Sequence, residues 1–388
     1  MSLTFDSARI PNPHLTEDHL AWRDALRRFV DKEIMPYAEG WDEAGHIPIA
    51  LWPKAAEVGL LGAGYPEQYG GMETDSWHSW IINEELSRVG VGGLSASLMV
   101  HGIGLPPVIN WGTEAMKAEI APPVLRGESW ISLGITEPGG GSDVASLKTT
   151  AVRDGDHYIV NGSKTYITGG MRANYVSTAV RTGGDGATGV SMLLIPTDAE
   201  GFSRTALDKK MGWWASDTAT LYFDNVRVPV SNLIGQENQG FRVIMTNFNS
   251  ERMGMAAAME AYGRVCLEEA VNWARERQTF GKRLADHQVI RHKIAMMKQK
   301  LNATQAYIRI CYEAIEAGEA NAGDIALLKV QASEVMEFCA REAMQILGGV
   351  GYMRGNRVER IYREVRVNAI GGGSEEIMRD LASRQYGL

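Results

Sequence analysis

The hydrophobic period of this chain changes twice, and that double change limits its fold more than any single motif does. From Ser132 to Val230 the apolar residues come in short alternating runs rich in Thr, Tyr and Val. Turn signals separate them: Asp154-Gly155, Asn161-Gly162 and Gly183-Gly184-Asp185-Gly186. The expected strands are Tyr158–Val160, Thr165–Thr168, Tyr175–Arg181, Val190–Ile195 and Thr220–Phe223. No helical period lies between them, which predicts an antiparallel barrel or sandwich. On both sides the 3.6-residue period holds. The chain therefore reads as α+β in three parts: an N-terminal helical domain (1–130), a middle β-domain (131–236) and a C-terminal helical domain (237–388) whose long helices suggest a four-helix bundle.

In the first part, Leu15-Thr16-Glu17-Asp18 opens a helix, Leu20, Leu26, Phe29 and Val30 continue its stripe, and Pro36 stops it. Further helices are expected over Leu51–Val58, Ser76–Arg88 and Ser95–Ile109. The last is nearly all apolar and small, so it should be buried all round or line a pocket; His101 within it reads as a satisfied core histidine. In the last part the expected helices are Gly240–Gln278, His287–Ala317, Gly323–Leu347, Glu359–Val367 and a short one from Ser374.

A net charge of −8 argues against nucleic acid or an anionic membrane surface as the main partner. Cys266, Cys311 and Cys339 sit in helical patterns without metal-ligand spacing, so they read as small buried hydrophobes, and no metal site is expected. The N-terminus shows neither a signal-peptide nor a transit pattern, and no apolar run is long enough for stable membrane insertion. A cytoplasmic location is the expectation.

One residue breaks its own pattern. Along Gly240–Val265, Phe241, Ile244, Phe248, Met255, Ala258, Tyr262 and Val265 form one apolar stripe, and position 251 on that stripe is Glu. A carboxylate where a hydrophobe is wanted must be paired, neutralised or used. A structural ion pair and a functional acid both satisfy the pattern.

Glycine-rich stretches offer candidate ligand loops. Gly349-Val350-Gly351 follows a helix rather than a strand, so the dinucleotide reading fails. Gly371-Gly372-Gly373 says only that a turn is tight or a neighbour close. Ile135-Thr136-Glu137-Pro138-Gly139-Gly140-Gly141-Ser142-Asp143 would free backbone N–H groups and hydroxyls to face a ligand. In Ser163–Thr168 the strand period sets the ring of Tyr166 and the hydroxyl of Thr168 on one face, which suits a flat ring such as a flavin; an ordinary half-buried strand fits as well.

With these stretches in place, the chain resembles the flavin-dependent acyl-CoA dehydrogenase family over essentially its whole length. The matching residues are Glu84-Glu85-Leu86, Val100-His101, Gly112-Thr113-Glu114, Thr136–Asp143, Tyr166-Ile167-Thr168, Met211-Gly212 with Ser216-Asp217-Thr218, and Phe223–Pro229. They continue with Arg277–Lys282, Gln345–Gly351 and Glu376–Arg379. The resemblance implies FAD contacts from Ile135, Thr136, Gly141 and Ser142, and a ring face from Tyr166 and Thr168, where the family usually has Trp in place of Tyr166. It implies that Arg277, Thr279 and Phe280 reach the FAD of a neighbouring subunit, and that Gln288, Gln345, Gly349, Ser374 and Glu376 serve its adenosine end. A homotetramer built as a dimer of dimers follows.

The implied reaction is α,β-dehydrogenation of an acyl-CoA thioester to the trans-2-enoyl-CoA, with electrons passed to an electron-transfer flavoprotein. Most members carry the catalytic Glu where this chain has Gly372, whose N–H would then polarise the thioester carbonyl. The long-chain and isovaleryl-type branch carries it on the bundle helix, at the position of Glu251, immediately before Arg252. The family thus points to the same Glu251 that disrupts the stripe, with Glu375 and Glu376 as rivals. Arg252 is expected near the CoA phosphates or as a helix anchor, and Ser95, Met99 and Gly102 as lining for a medium-to-long or branched acyl group. The rival readings are a flavin oxidase or monooxygenase on the same fold and a non-catalytic acyl-CoA-binding protein.

Overall fold

The computed structural model describes residues 3–388. The chain groups into two compact units that interleave in sequence: one holds the segment up to Gly40, Asp75–Gly92 and Arg252–Leu388, the other Trp41–Thr74 and Gly93–Glu251. The Gly240–Glu276 helix contributes to both.

The second unit is built on one eight-stranded sheet. Its strands are β1 (Ile131–Gly134), β2 (Thr150–Asp154), β3 (His157–Thr168), β4 (Tyr175–Arg181), β5 (Val190–Pro196), β6 (Phe202–Ala206), β7 (Thr218–Pro229) and β8 (Leu233–Ile234). The order is β6-β7-β3-β2-β4-β5-β8, with β1 pairing β4. The sheet is mixed, which corrects the antiparallel expectation. β1 runs parallel to β4 from Ile131 opposite Tyr175 to Gly134 opposite Thr178, and β2 meets β4 in parallel at Thr150 and Arg181. Four residues of β1 carry too little alternation to be read as a strand. The two expected strands at 158–160 and 165–168 are one, β3, which pairs β7 through two bulges. Side chains of β3, β4, β5 and β7, among them Val160, Val180, Leu193 and Leu221, share one buried cluster. The opposite face of β4 and β5 (Ala179, Met192, Leu194) packs with Val108, Ile120 and Val124 of the helices before the sheet. β4 and β5 are therefore buried on both sides, as their continuous apolar runs require.

The expected Ser95–Ile109 helix is three short ones, Gly92–Leu98, His101–Gly104 and Pro106–Trp111. Pro106 has no N–H to continue a helix, so it starts a new one at N1. His101 is buried, its Nε2 lies 3.0 Å from the Leu61 carbonyl, and burial pushes its pKa down to about 4. It is a neutral core histidine.

In the first unit the helices Gln288–Glu316, Ala322–Leu347 and Arg357–Ile370 share a core with the later turns of Gly240–Glu276, through residues such as Val265, Leu301, Met336 and Ile361. Side-chain caps mark the starts. Thr16 caps Glu17–Phe29, Asp75 caps Ser76–Ser87, and Asn321, Asn356 and Ser374 cap the later helices. Gly348, at φ 64°, ends Ala322–Leu347. The N-terminal segment joins the same core through Phe5 and Ala8. Charge fixes it there. Arg264 Nη1 donates to the Phe5 carbonyl at 3.2 Å, Arg27 grips Asp6 with two bonds of 2.8 Å, and Arg9 Nε donates to Glu84 at 3.2 Å.

Glu84 accepts from Arg9, Arg23 and Arg264 at once. Burial alone would raise its carboxyl, but the guanidiniums of Arg264, Arg9 and Arg23 hold it at about 2 against an ordinary 4.5. A depressed folded pKa means stability that is complete above the unfolded value and lost as pH falls towards the folded one. Glu84→Gln should lower stability at neutral pH by roughly 3 kcal/mol or more. It should also flatten the loss of stability between about pH 5 and pH 2; urea denaturation at stepped pH measures both.

Candidate active site

The glycine loop opens directly from β1, and a buried ion pair fixes its course. Lys164, on β3 and fully buried, donates from Nζ to Glu137 Oε1 at 2.8 Å and to the Ile135 carbonyl at 3.1 Å. Glu137 in turn accepts the N–H groups of Lys148 and Thr149 at 2.6 and 2.8 Å. Burial pulls Lys164 down to about 8 while Glu137 holds its charge. Burial would raise Glu137, but Lys164 brings it to about 2. Both are charged at neutral pH. Thr165 N–H donates to the Thr136 carbonyl at 2.8 Å, which lays the loop against β3 one residue before Tyr166.

Beyond Thr136 the loop turns tightly, with Glu137 and Gly140 exchanging backbone bonds of 3.1 Å. No atom lies within 4 Å of where a Cβ would stand at Gly139 or Gly140, so neighbouring packing does not require these glycines. Their bareness leaves backbone N–H groups approachable. Gly141 and Ser142 are exposed, Thr136 is half-buried and Ile135 is buried at the root of the loop.

At Tyr166 the strand period fails. A bulge between Lys164 and Ile167 adds one residue to β3, and Tyr166 takes φ 59°. Lys164 and Thr165 are both buried, while the Tyr166 ring is 71 % exposed and Thr168 half-buried. A bulky ring in the left-handed region is costly, and such strain concentrates at functional surfaces. The exposed ring thus owes its direction to a bulge, not to simple alternation.

The same unit holds Glu251 and the expected acyl-lining residues. Asn247 is buried and donates from Nδ2 to the Ile103 carbonyl at 3.1 Å. Glu251 is one turn further along that helix, on the same face, and half-buried. Asn247 thus ties this face of the helix to the His101–Gly104 turn, one turn before Glu251. Gly102 is exposed, with no atom within 4 Å of its Cβ position. Ser95 and Met99 are half-buried, and the buried Ser95 Oγ has no hydrogen-bond partner among the described residues.

In the other unit two cations hold the glycine turn 371–373. Arg252, buried, donates from Nε to the Gly372 carbonyl at 3.1 Å. Lys329, fully buried, donates to the carbonyls of Ala369 and Gly373 at 3.2 and 2.8 Å. Arg252 is thus an anchor of the turn. Gly372 has φ 66°, and Gly373 has φ 103° with Met378 Cε 2.3 Å from its Cβ position, so neither accepts a side chain freely. Ser374 caps the last helix, and Glu375 accepts from Ser333 Oγ at 2.7 Å. Glu376 is exposed, its pKa lowered by its own backbone N–H and by Ser374. That is the wrong direction for a general base.

Arg277, Thr279 and Phe280 form a small hairpin in which Gln278–Thr279 pairs Lys282–Arg283. Phe280 and Gly281, both at positive φ, make its tip, and Phe280 is 96 % exposed. Arg277 and Gln288 are exposed beside it, as are Gln345 and Gly349 at and beyond the end of Ala322–Leu347. Three positioning residues escaped the sequence reading: Lys164, Lys329 and Asn247. Nothing local marks them, since each partner is far along the chain.

A sheet carrying an open glycine loop and an outward aromatic ring offers a surface on which a flat aromatic cofactor could lie. Domain families described as acyl-CoA dehydrogenase N-terminal, middle and C-terminal domains match residues 16–128, 132–226 and 238–387. The long-chain specific acyl-CoA dehydrogenase of Rattus norvegicus is 34 % identical over 95 % of this chain and 86 % of its own. A probable acyl-CoA dehydrogenase of Mycobacterium abscessus superposes with a TM-score of 0.94 at 45 % identity, covering 96 % of this chain and 99 % of that one. A glutaryl-CoA dehydrogenase of Mycobacterium smegmatis in complex with FADH2 gives 0.90 at 27 % identity over 96 % and 95 %. The chain belongs to the acyl-CoA dehydrogenase family. It is an FAD-dependent oxidoreductase acting on acyl-CoA. The open loop, the exposed Tyr166 ring and the Thr168 hydroxyl fit that cofactor.

Removing the cation beneath the loop tests its role. Lys164→Met should leave Glu137 uncompensated, cost roughly 3–5 kcal/mol and reduce flavin retention on gel filtration. Thermal melts and the absorbance ratio of flavin to protein measure the two effects.

Proposed function

We propose that this enzyme converts a medium-to-long or branched acyl-CoA to the trans-2-enoyl-CoA, with Glu251 as the base that takes the α-proton, and passes its electrons to an electron-transfer flavoprotein. The observation that carries this is the face shared by Asn247 and Glu251: Asn247 is docked on the Ile103 carbonyl, and the half-buried carboxylate stands one turn further on. Bound FAD supplies the hydride acceptor. The Gly372 N–H, on a turn whose carbonyls are held by cations, is the proposed donor to the thioester oxygen.

The acyl preference rests on missing bulk. Gly102 has open space where a side chain would stand, and the segment around it is apolar. A longer or branched acyl chain would lie along that open, apolar segment, where a small one would leave it in contact with water.

We further propose a homotetramer in which the Phe280 hairpin enters a neighbouring subunit. A ring 96 % exposed at the tip of a strained turn gains stabilisation only by being covered.

Glu251→Gln should remain folded and yellow but reduce its flavin about 10²–10⁴-fold more slowly with acyl-CoA under anaerobic conditions. Near-normal bleaching would move the assignment to Glu375 or Glu376. A panel of straight and branched acyl-CoAs in the same assay ranks the substrates. Phe280→Asp should lower the sedimenting mass and weaken flavin retention together; an unchanged mass rules out the hairpin as the assembly contact.

A further inference from the structure

The starts of the helices Glu17–Phe29 and Ser76–Ser87 meet through three side chains, His19, Asp75 and His78. His19 Nε2 lies 3.0 Å from both carboxylate oxygens of Asp75, and His78 Nδ1 lies 2.7 Å from Oδ1. Each residue offers one ligating atom, and these atoms all lie within 4.8 Å of one another. The two rings are buried, tilted by 49° with centroids 4.4 Å apart, while Asp75 is half-buried and leaves one edge of the cluster open to water. Local spacing does not announce this constellation, since His19 and Asp75 stand 56 residues apart in the chain.

Hydrogen bonding alone accounts for a carboxylate between two imidazoles, but the far ring nitrogens point further. A metal-ligating histidine keeps its proton on the other nitrogen and donates it to a fixed acceptor. His19 Nδ1 is 2.8 Å from Thr16 Oγ1, and His78 Nε2 is 3.8 Å from Asp18 Oδ2. Both rings thus have an acceptor behind them, so both can turn a lone pair towards one ion beside Asp75. His19 Nδ1 also accepts the Thr16 N–H at 3.1 Å, and ligation would hand that donor, on an exposed residue, to water. Tetrahedral zinc, with bonds of about 2.0–2.2 Å, sets its ligand atoms on the order of 3.3 Å apart, so the imidazole–carboxylate contacts need to open by only roughly 0.3–0.6 Å. A cation here meets the positive ends of two helices, about half a unit charge each. Asp75 and Asp18 oppose that charge, and Glu316 reaches in from Gln288–Glu316 to take the Ser76 N–H at 2.9 Å.

We infer that His19, Asp75 and His78 form a binding site for one divalent cation of the zinc class, with water completing its coordination on the Asp75 side. Two imidazoles and one carboxylate favour zinc, cobalt(II) or nickel over magnesium and calcium, which take oxygen ligands. The ion joins the first turn of Glu17–Phe29 to the cap of Ser76–Ser87 and acts as a clasp between the two helix starts.

The flavin-loaded enzyme is stripped with EDTA, dialysed, and titrated with zinc, cobalt(II) and magnesium chlorides. The expected result is one zinc or cobalt per chain, visible d–d bands for bound cobalt, and a saturable rise of a few degrees in melting temperature that magnesium does not give. Asp75→Asn keeps a helix cap while removing the carboxylate, and His78→Gln removes one imidazole. Each should weaken the zinc midpoint by about tenfold or more. Zinc-soaked crystals should show an anomalous peak between the three side chains. Failure to bind zinc, an anomalous peak only elsewhere, or an unchanged midpoint in either variant overturns the inference.

Discussion

The Lys164–Glu137 pair is the contact on which the candidate flavin surface depends. A loop of consecutive glycines has no side chains of its own to define a path, and its conformational freedom is the largest any backbone has. The ion pair supplies the missing definition from below. One ammonium group fixes Ile135 and Glu137, and Glu137 fixes Lys148 and Thr149 on the return of the chain. The loop between these anchors then stays open on its outer side, and the adjoining β3 bulge turns the Tyr166 ring outward. Replacing the pair by apolar residues could fill the same volume but would not satisfy the Ile135 carbonyl or the two N–H groups, so the charge here also specifies geometry.

The same device recurs in the other unit. At the glycine turn 371–373, Arg252 and Lys329 collect the carbonyls of Ala369, Gly372 and Gly373. The Gly371 N–H is taken by the Val367 carbonyl at 2.7 Å, while the cations hold the carbonyls of Gly372 and Gly373 to one side. The positive φ at Gly372 and Gly373 belongs to this arrangement. A glutamate in place of Gly372 would have to adopt a strained backbone, so the turn is suited to donating a hydrogen bond and poorly suited to bearing a base. That is consistent with the proposed base residing on a helix, where backbone geometry imposes no such strain.

Much of this was legible in the sequence, for identifiable reasons. The strand Tyr175–Arg181 and the helix starts at Thr16 and Ser374 are local signals, and local signals survive folding. Glu251 stands out in the sequence because it breaks a stripe in which Ile244, Tyr262 and Val265 are buried and Phe241, Phe248, Met255 and Ala258 half-buried. The parallel pairing of β1 was not visible, since a four-residue strand has no period. The bulge at Tyr166 was hidden by a sequence that looks like uninterrupted alternation. Lys164 reads as the polar side of a strand, and its complete burial is explained only by a carboxylate 27 residues earlier. Pro106-Pro107, by contrast, was a legible break in the Ser95–Ile109 pattern that the apolar run overshadowed.

The buried charge around Glu84 raises a last question, which is why a segment at the chain's start should be fixed by arginines when the core beside it is apolar. Apolar burial at Phe5 and Ala8 is non-directional, so a shift of the segment by a residue or two would lose little of it. Asp6 held twice by Arg27, the Phe5 carbonyl on Arg264, and Arg9 on Glu84 are all directional, and a shift breaks them together. In net free energy such buried pairs are often no better than hydrophobes. What distinguishes them is the steep penalty of any misregistered alternative, in which a guanidinium or carboxylate is left buried without its partner. Arg264 and Glu84 are buried with the segment in place, and one register of residues 3–15 completes their network while the others leave it open.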